Sequence, residues 1–370
     1  MNTHPLPTRY EDIIALIDQI DPIRYGKTRN FINGAVTQLS PYISRNLIDT
    51  RMILERLVAR GFSYYQSEKF IQQLFWREFF QRVWQSLGDS INGDIKREQE
   101  DVAHHAIPSV LLNGTTGIQA VDQSIHLLQQ QGMMHNHVRM YCAFLTCNLG
   151  KAHWFHPARW MYFHLLDGDW ASNALSWQWV AGTFSSKKYI ANQDNVNHYT
   201  GIQQRSTVID CAYEELQDLR QPEAFHAHEL PQFETRLPVA HSIQLDHQLP
   251  IVIYNYYNIS PTWRADMRAN RVLLLEPELF TAYPVSEKCI DFLLALSKNI
   301  PGLQVFTGSF NELLSLSPSA TCYFQEHPLN RHYKGIEDPR PWMVPGSASA
   351  TGSFFSFWKK NERLLRQAFN

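Results

Sequence analysis

The sequence predicts a mainly α-helical domain over residues 1–220, a linker over 221–249, and a smaller α/β domain with a C-terminal helix over 250–370. Three observations carry this. In the first two-thirds, apolar residues recur at helical spacing. Between Gln221 and Pro250, four prolines break any sustained period. Beyond Pro250, short apolar runs alternate with helical segments, the pattern of βα units.

Ile71, Phe75, Phe79 and Val83 recur every four residues, which puts them on one face of a helix. Val138, Tyr141, Leu145 and Leu149 keep a second such face. After the linker, Ile251–Tyr256 (IVIYNY), Arg271–Leu275 (RVLLL) and Gln304–Thr307 (QVFT) read as buried strands of a parallel, Rossmann-like sheet. Ser286–Asn299 reads as a helix with Ser286 as its N-cap. Gly346–Ser353 (GSASATGS) matches no phosphate-binding loop and reads as a joint before an amphipathic helix, Phe354–Phe369.

Composition narrows the class. A hydrophobic fraction of 44% with 18% charged residues belongs to a globular chain. At 370 residues two domains are expected. Five irregularly spaced cysteines argue for a reducing, cytoplasmic setting over a disulfide scaffold. No run of 18 apolar residues exists, and Met1–Tyr10 lacks the apolar core of a signal peptide, so no membrane role is expected. A net charge of −2 weighs against tight non-specific DNA binding, although a local basic face can coexist with it. The 10 Trp, 16 Tyr and 21 Phe can simply fill an aromatic core.

Gly132–Trp179 is harder to read as core alone. It sets Asn136, Arg139, Asp167, Asp169 and Asn173 among apolar residues and tryptophans. Buried polar groups need partners, so the segment implies a large aromatic ligand with polar edges. The histidines His135 and His137, or His153 and His156, could hold a metal, but they lack the closed Cys/His sets of structural zinc.

Four segments resemble the photolyase/cryptochrome family in order and spacing. Tyr25–Tyr42 is similar to its Tyr-x-x-x-Arg-Asp-Phe and Thr-Ser-x-Leu-Ser-Pro-Tyr elements. Phe70–Phe79 resembles its Glu-Leu-x-Trp-Arg-Glu-Phe helix. Asn113–Met140 resembles its Gly-x-Thr-Gly, Val-Asp and Met-His-Asn-Arg-x-Arg-Met run. Asp167–Trp179 resembles its Asp-Gly-Asp-x-Ala-x-Asn-x-x-x-Trp-x-Trp motif.

The resemblance implies a helical domain of photolyase type that binds FAD. Tyr25, Thr37, Gln38, Leu39 and Ser40 would hold the pyrophosphate at a helix start, with Gln38 in place of a basic residue. Arg77 would lie beside the cofactor, with Gln73 and Asn136 near it. Arg139 would pair with Asp167 beside the flavin ring, Asp169 would accept from its N3–H, Ser172 would adjoin, and Asn173 would face N5. Trp177 and Trp154 match the inner members of an electron-transfer chain. The outermost position has no tryptophan, and Trp160, Trp170, Tyr141 or Tyr162 stand as substitutes.

The implied activity is light-driven repair of cyclobutane pyrimidine dimers in DNA, a lyase reaction powered by one electron from photoexcited reduced FAD. Trp76 would stack on the lesion, and Trp179, Asn136 and Met140 would line its pocket with it. Arg29, Gln73 and His137 would complete the DNA contacts. Asn136 and Met140 match dimer-specific members, whereas six-four enzymes carry histidines at both positions. Gln73 stands where repair enzymes have glutamate, and His137 replaces an arginine. Both departures favour the alternative, a cryptochrome-like blue-light receptor that binds FAD without repair. A flavin domain kept as a structural module is a third class. The α/β segment follows the helical domain instead of preceding it, as if permuted, which leaves open an antenna chromophore and the oligomeric state.

Overall fold

In the computed structural model, residues 6–217, 220–239, 242–346, 350 and 352–369 are described. Part of the linker, part of the Gly346–Ser353 joint and the first half of Met1–Tyr10 lie outside them. The chain forms two compact units. One comprises Lys27–Val36 and Asp89–Phe233; the other comprises His4–Gly26, Thr37–Gly88 and Glu234–Asn370. Compactness in space therefore divides the chain differently from a single cut at 221–249.

The first unit is helical. Its core is built by Gln119–Gln131, Asn136–Ala143, Phe155–His164, Trp170–Ala181 and Gln193–Thr200. The Asn136–Ala143 helix runs on as a π-helical turn, Phe144–Leu149, so the apolar face read from the sequence is kept through a wider winding. Val138, Tyr141, Leu145 and Leu149 are all buried. Within the expected linker, Glu223–Phe225 forms a 3-10 turn and His228–Glu229 pairs antiparallel with Ile107–Pro108.

The second unit carries the sheet. Five strands lie in the order Leu303–Thr307, Asn270–Leu275, Ile251–Tyr254, Cys322–Gln325 and Ile336–Asp338, all parallel. The first three are the strands read from the sequence, but Leu303–Thr307 lies at the sheet edge and is only half-buried, not buried as expected. The other two were not legible: CYFQ and IED are short, and IED is polar. The Glu287–Ser297 helix follows Ser286, whose hydroxyl meets Cys289 Sγ at 3.4 Å and does not cap the backbone. The order reverses beside Ile251–Tyr254, the place where doubly wound sheets hold ligands. There Asn255, Gln325, His327 and Asn330 line a cavity of about 50 Å³. That is far below the roughly 300–1,000 Å³ of a typical ligand pocket.

The Tyr64–Leu87 helix starts at a Ser63–Gln66 capping box and buries Ile71, Phe75, Phe79 and Val83, as its spacing predicts. The C-terminal helix, Phe354–Gln367, packs on it: Phe357 stacks on Phe75 at 4.6 Å, and Phe354 stacks on Trp76 at 3.6 Å and 10°. Among the described residues no helix is long and apolar enough to cross a membrane.

Candidate functional site

The first unit gathers most of the expected site. Arg139 projects from the Asn136–Ala143 helix, and its Nη2 donates to both oxygens of Asp167, at 3.0 and 2.9 Å. Its Nε donates to the Met134 carbonyl at 3.0 Å, which fixes the guanidinium plane. The Asp167 side chain is 6% exposed and that of Arg139 22%. One guanidinium nitrogen is thus shared between both carboxylate oxygens in a partly buried, charge-assisted pair.

Two residues on, Asp169 caps the Trp170–Ala181 helix by accepting from the Ser172 N–H at 2.9 Å. The carboxylate thus sits at the positive end of a twelve-residue helix. One turn further, Asn173 is buried, and its Nδ2 donates to the Ala158 carbonyl at 2.8 Å. Trp177 follows four residues later on the same face and is 2% exposed. Trp154, at the start of the neighbouring helix, is wholly buried.

Two buried polar atoms in this group have no hydrogen-bond partner among the described residues: Ser172 Oγ and Trp177 Nε1. An orphaned buried polar atom is costly, so the unpartnered Ser172 hydroxyl beside the Asp169 carboxylate fits a polar-edged ligand.

Asn136 opens its helix on the exposed side, while His137, Arg139 and Met140 are half-buried. Burial pushes the His137 imidazole down to about 4, and burial, then His137 and Arg139, push His135 to about 4. Both are neutral at pH 7, so His137 does not replace the charge of the arginine it stands for. The linkage has a definite sign. These histidines bind protons more readily when unfolded, so the stability they confer is full above about pH 6.5 and is lost as pH falls toward 4. Urea midpoints measured across that window should fall with pH, and His137→Gln should flatten the slope.

Arg29 lies in the same unit, half-buried. Trp179 is 37% exposed, with its ring near Tyr189 at 5.9 Å. The four substitutes for the outermost electron-transfer position, Tyr141, Trp160, Tyr162 and Trp170, are each only 1% exposed. None of them offers a surface terminus.

Tyr25, Thr37, Gln38, Leu39, Ser40, Gln73, Trp76 and Arg77 belong to the second unit. Gln38 holds a left-handed φ of 54°, and Leu39 precedes a helix of only five residues, Ser40–Ser44, without a side-chain cap. So short a helix has little dipole of its own. Tyr25 packs edge-on against Phe70 at 4.9 Å. Arg77 lines the small cavity at the sheet edge. Trp76 is half-buried, with Phe354 lying flat against its ring. Sequence reasoning missed Asp94, which receives the Trp154 indole N–H at 2.6 Å. A lone carboxylate in a loop carries no motif. Among the described residues, no group of three His, Cys, Asp or Glu side chains is placed to hold a metal.

The model of the FAD binding domain of DNA photolyase matches residues 70–257, just over half of the chain. The chain belongs to this family, and its cofactor is FAD. It is similar to the deoxyribodipyrimidine photo-lyase of Streptomyces griseus, 35% identical over 156 residues, 40% of this chain and 32% of that protein. The corresponding enzyme of Vibrio cholerae is 30% identical over 173 residues, 43% and 36% of the two chains. The cryptochrome DASH of Ostreococcus tauri is 30% identical over 171 residues, 43% and 30%. The match thus spans about a third of the length of these relatives.

Proposed function

We propose that this chain is a light-dependent flavoprotein that splits cyclobutane pyrimidine dimers in damaged DNA. The observation that carries the reading is the grouping of Arg139, Asp167, Asp169 and Asn173 beside buried Trp177 and Trp154. FAD, when bound, reduced and excited by light, supplies the single electron that dimer cleavage requires. The protein's own residues bind and orient. Asp169 and Ser172 offer polar partners to the ring edge, and the Arg139–Asp167 pair holds its shape with fixed charges. Within the first unit, Asn136, exposed at its helix start, Met140 and Trp179 line the lesion side, with Arg29 toward phosphate; in the second unit, Trp76 offers a stacking surface. Stacking contributes about 1–3 kcal/mol per base.

Irradiating reduced protein with a dimer-containing oligonucleotide tests this directly: absorbance of intact thymines should return. Six-four photoproducts should stay intact, because neither an amide nor a thioether can donate the proton that their repair needs. Gln73→Glu should raise the dimer rate several-fold. A charge-assisted hydrogen bond is about twice as strong as a neutral one, a gain of roughly 1 kcal/mol. Repair of six-four lesions, or no gain from Gln73→Glu, would count against the assignment.

A second reading, a blue-light receptor that binds FAD without repair, is favoured by one observation. Phe354 already covers a face of Trp76 that a base would use. If neither wild type nor Gln73→Glu splits dimers, and no mobility shift occurs on the same oligonucleotide in the dark, this reading takes over.

A further inference from the structure

We propose that Asp94 is the proton acceptor for Trp154, converting the oxidised indole into a neutral radical and trapping the charge there. The inference rests on the reading of Trp154 as an electron donor in the chain. Three indoles of this core are held in chemically different ways. Trp177 Nε1 is buried with no hydrogen-bond partner among the described residues. Trp170 Nε1 donates to Asn92 Oδ1 at 2.8 Å. Trp154 Nε1 donates to Asp94 Oδ1 at 2.6 Å. An amide oxygen cannot keep a proton near neutral pH, and an orphaned N–H has nowhere to send one. A carboxylate can take it, because an indole radical cation is an acid of strength comparable to a carboxylic acid.

The carboxylate is positioned for the task. Its Oδ2 accepts from the Gln99 backbone N–H at 2.8 Å, while Gln99 Oε1 accepts from the Trp154 backbone N–H at 2.9 Å. Gln99 Nε2 in turn donates to the Ala152 carbonyl at 2.8 Å. Gln99 therefore ties Asp94 to the tryptophan, its backbone N–H holding the carboxylate and its side chain the Trp154 N–H. Asp94 Oδ1 also faces His153 Nε2 at 3.3 Å, and the His153 ring stacks on exposed His105 at 4.7 Å. Both Asp94 and His153 keep some solvent contact, with side chains 17% and 15% exposed. The proton thus has a way out while the ring itself stays dry.

The balance of the step is simple. One electron leaves the Trp154 indole, through the chain, for the photoexcited oxidised flavin, the one-electron oxidant. The Nε1–H bond breaks and its proton forms an O–H bond on Asp94 Oδ1, leaving a neutral indolyl radical beside a neutral acid. Return of the electron then has to wait for return of the proton. Trapping of this kind does the work that an exposed third tryptophan would do, and the four candidates for that position are buried.

Flash excitation of the full chain loaded with oxidised FAD tests the assignment, since the cationic and neutral tryptophan radicals absorb at different wavelengths. Wild type should show the cation giving way to the neutral radical, more slowly in heavy water. Asp94→Asn should retain the hydrogen bond but slow that conversion about 10²-fold or more, the usual worth of a positioned base. Asp94→Glu should restore it. A neutral radical that forms at the wild-type rate in Asp94→Asn, or that survives Trp154→Phe, overturns the assignment. So does a wild-type radical that stays cationic, with or without a soluble Asp94→Asn protein. A flash that yields no tryptophan radical at all overturns the electron-chain reading, and this assignment with it.

Discussion

Replacing Trp177 by Phe is expected to abolish light-driven reduction of the bound flavin by an external donor. Trp177 lies one turn beyond Asn173 on the Trp170–Ala181 helix and is 2% exposed, so no soluble reductant reaches past it. Phe keeps most of the ring's packing volume, and its burial preserves the fold. What it loses is oxidisability: a benzene ring gives up an electron far less readily than an indole. A barrier higher by only about 3 kcal/mol already slows a step about 10²-fold. The difference between the two rings exceeds that. Flavin absorbance followed under steady blue light, with a reductant present, measures the effect. Unchanged photoreduction would show that electrons enter by another route, and thermal melting of the variant separates a lost route from a damaged core.

Trp154→Phe should have the same direction and a milder effect, because Trp177 can still give its own electron. Without Trp154, however, the hole stays on a ring whose Nε1 has no partner. It should recombine quickly, so the yield of reduced flavin falls even though the primary transfer survives. Order along the chain is thus testable from two substitutions of one type.

The fold was legible wherever burial imposed a period. Ile71, Phe75, Phe79 and Val83 line the inner face of Tyr64–Leu87, and IVIY and RVLLL are strands because a sheet covered on both faces demands continuous apolar runs. The edge strand Ile336–Asp338 was not legible, since an exposed edge asks little of its side chains. Nor could sequence order reveal that Thr37–Gly88 is compact with the sheet-bearing segment. Long-range packing of that kind depends on shape, not on local pattern.

The site divides in the same way. Arg139 with Asp167 was expected from the family resemblance, and the pair forms because opposite charges set among apolar residues are too costly to bury apart. Asp94 was not, because its role exists only through the Trp154 N–H and the Gln99 bridge. The position of Trp76 was legible but not its neighbour: nothing in the periodicity of Phe354–Gln367 says which ring Phe354 will cover.

Asp169→Ala should release most of the flavin. Two losses combine in this variant, and they can be separated. The ligand edge loses a buried acceptor, which costs about 1–3 kcal/mol, or roughly 5- to 150-fold in affinity. The Trp170–Ala181 helix also loses its N-cap, a further cost of about 1 kcal/mol in stability. Asp169→Ser isolates the first, since a serine hydroxyl can still accept from the Ser172 N–H while presenting no charge to the ligand. The expected order of flavin retention on gel filtration is therefore wild type, then Asp169→Ser, then Asp169→Ala, with melting of the flavin-free protein lowered only in the alanine variant. If Asp169→Ala retains its flavin at wild-type affinity, this carboxylate serves the helix alone, and the polar edge of the ligand must meet other residues of the same unit.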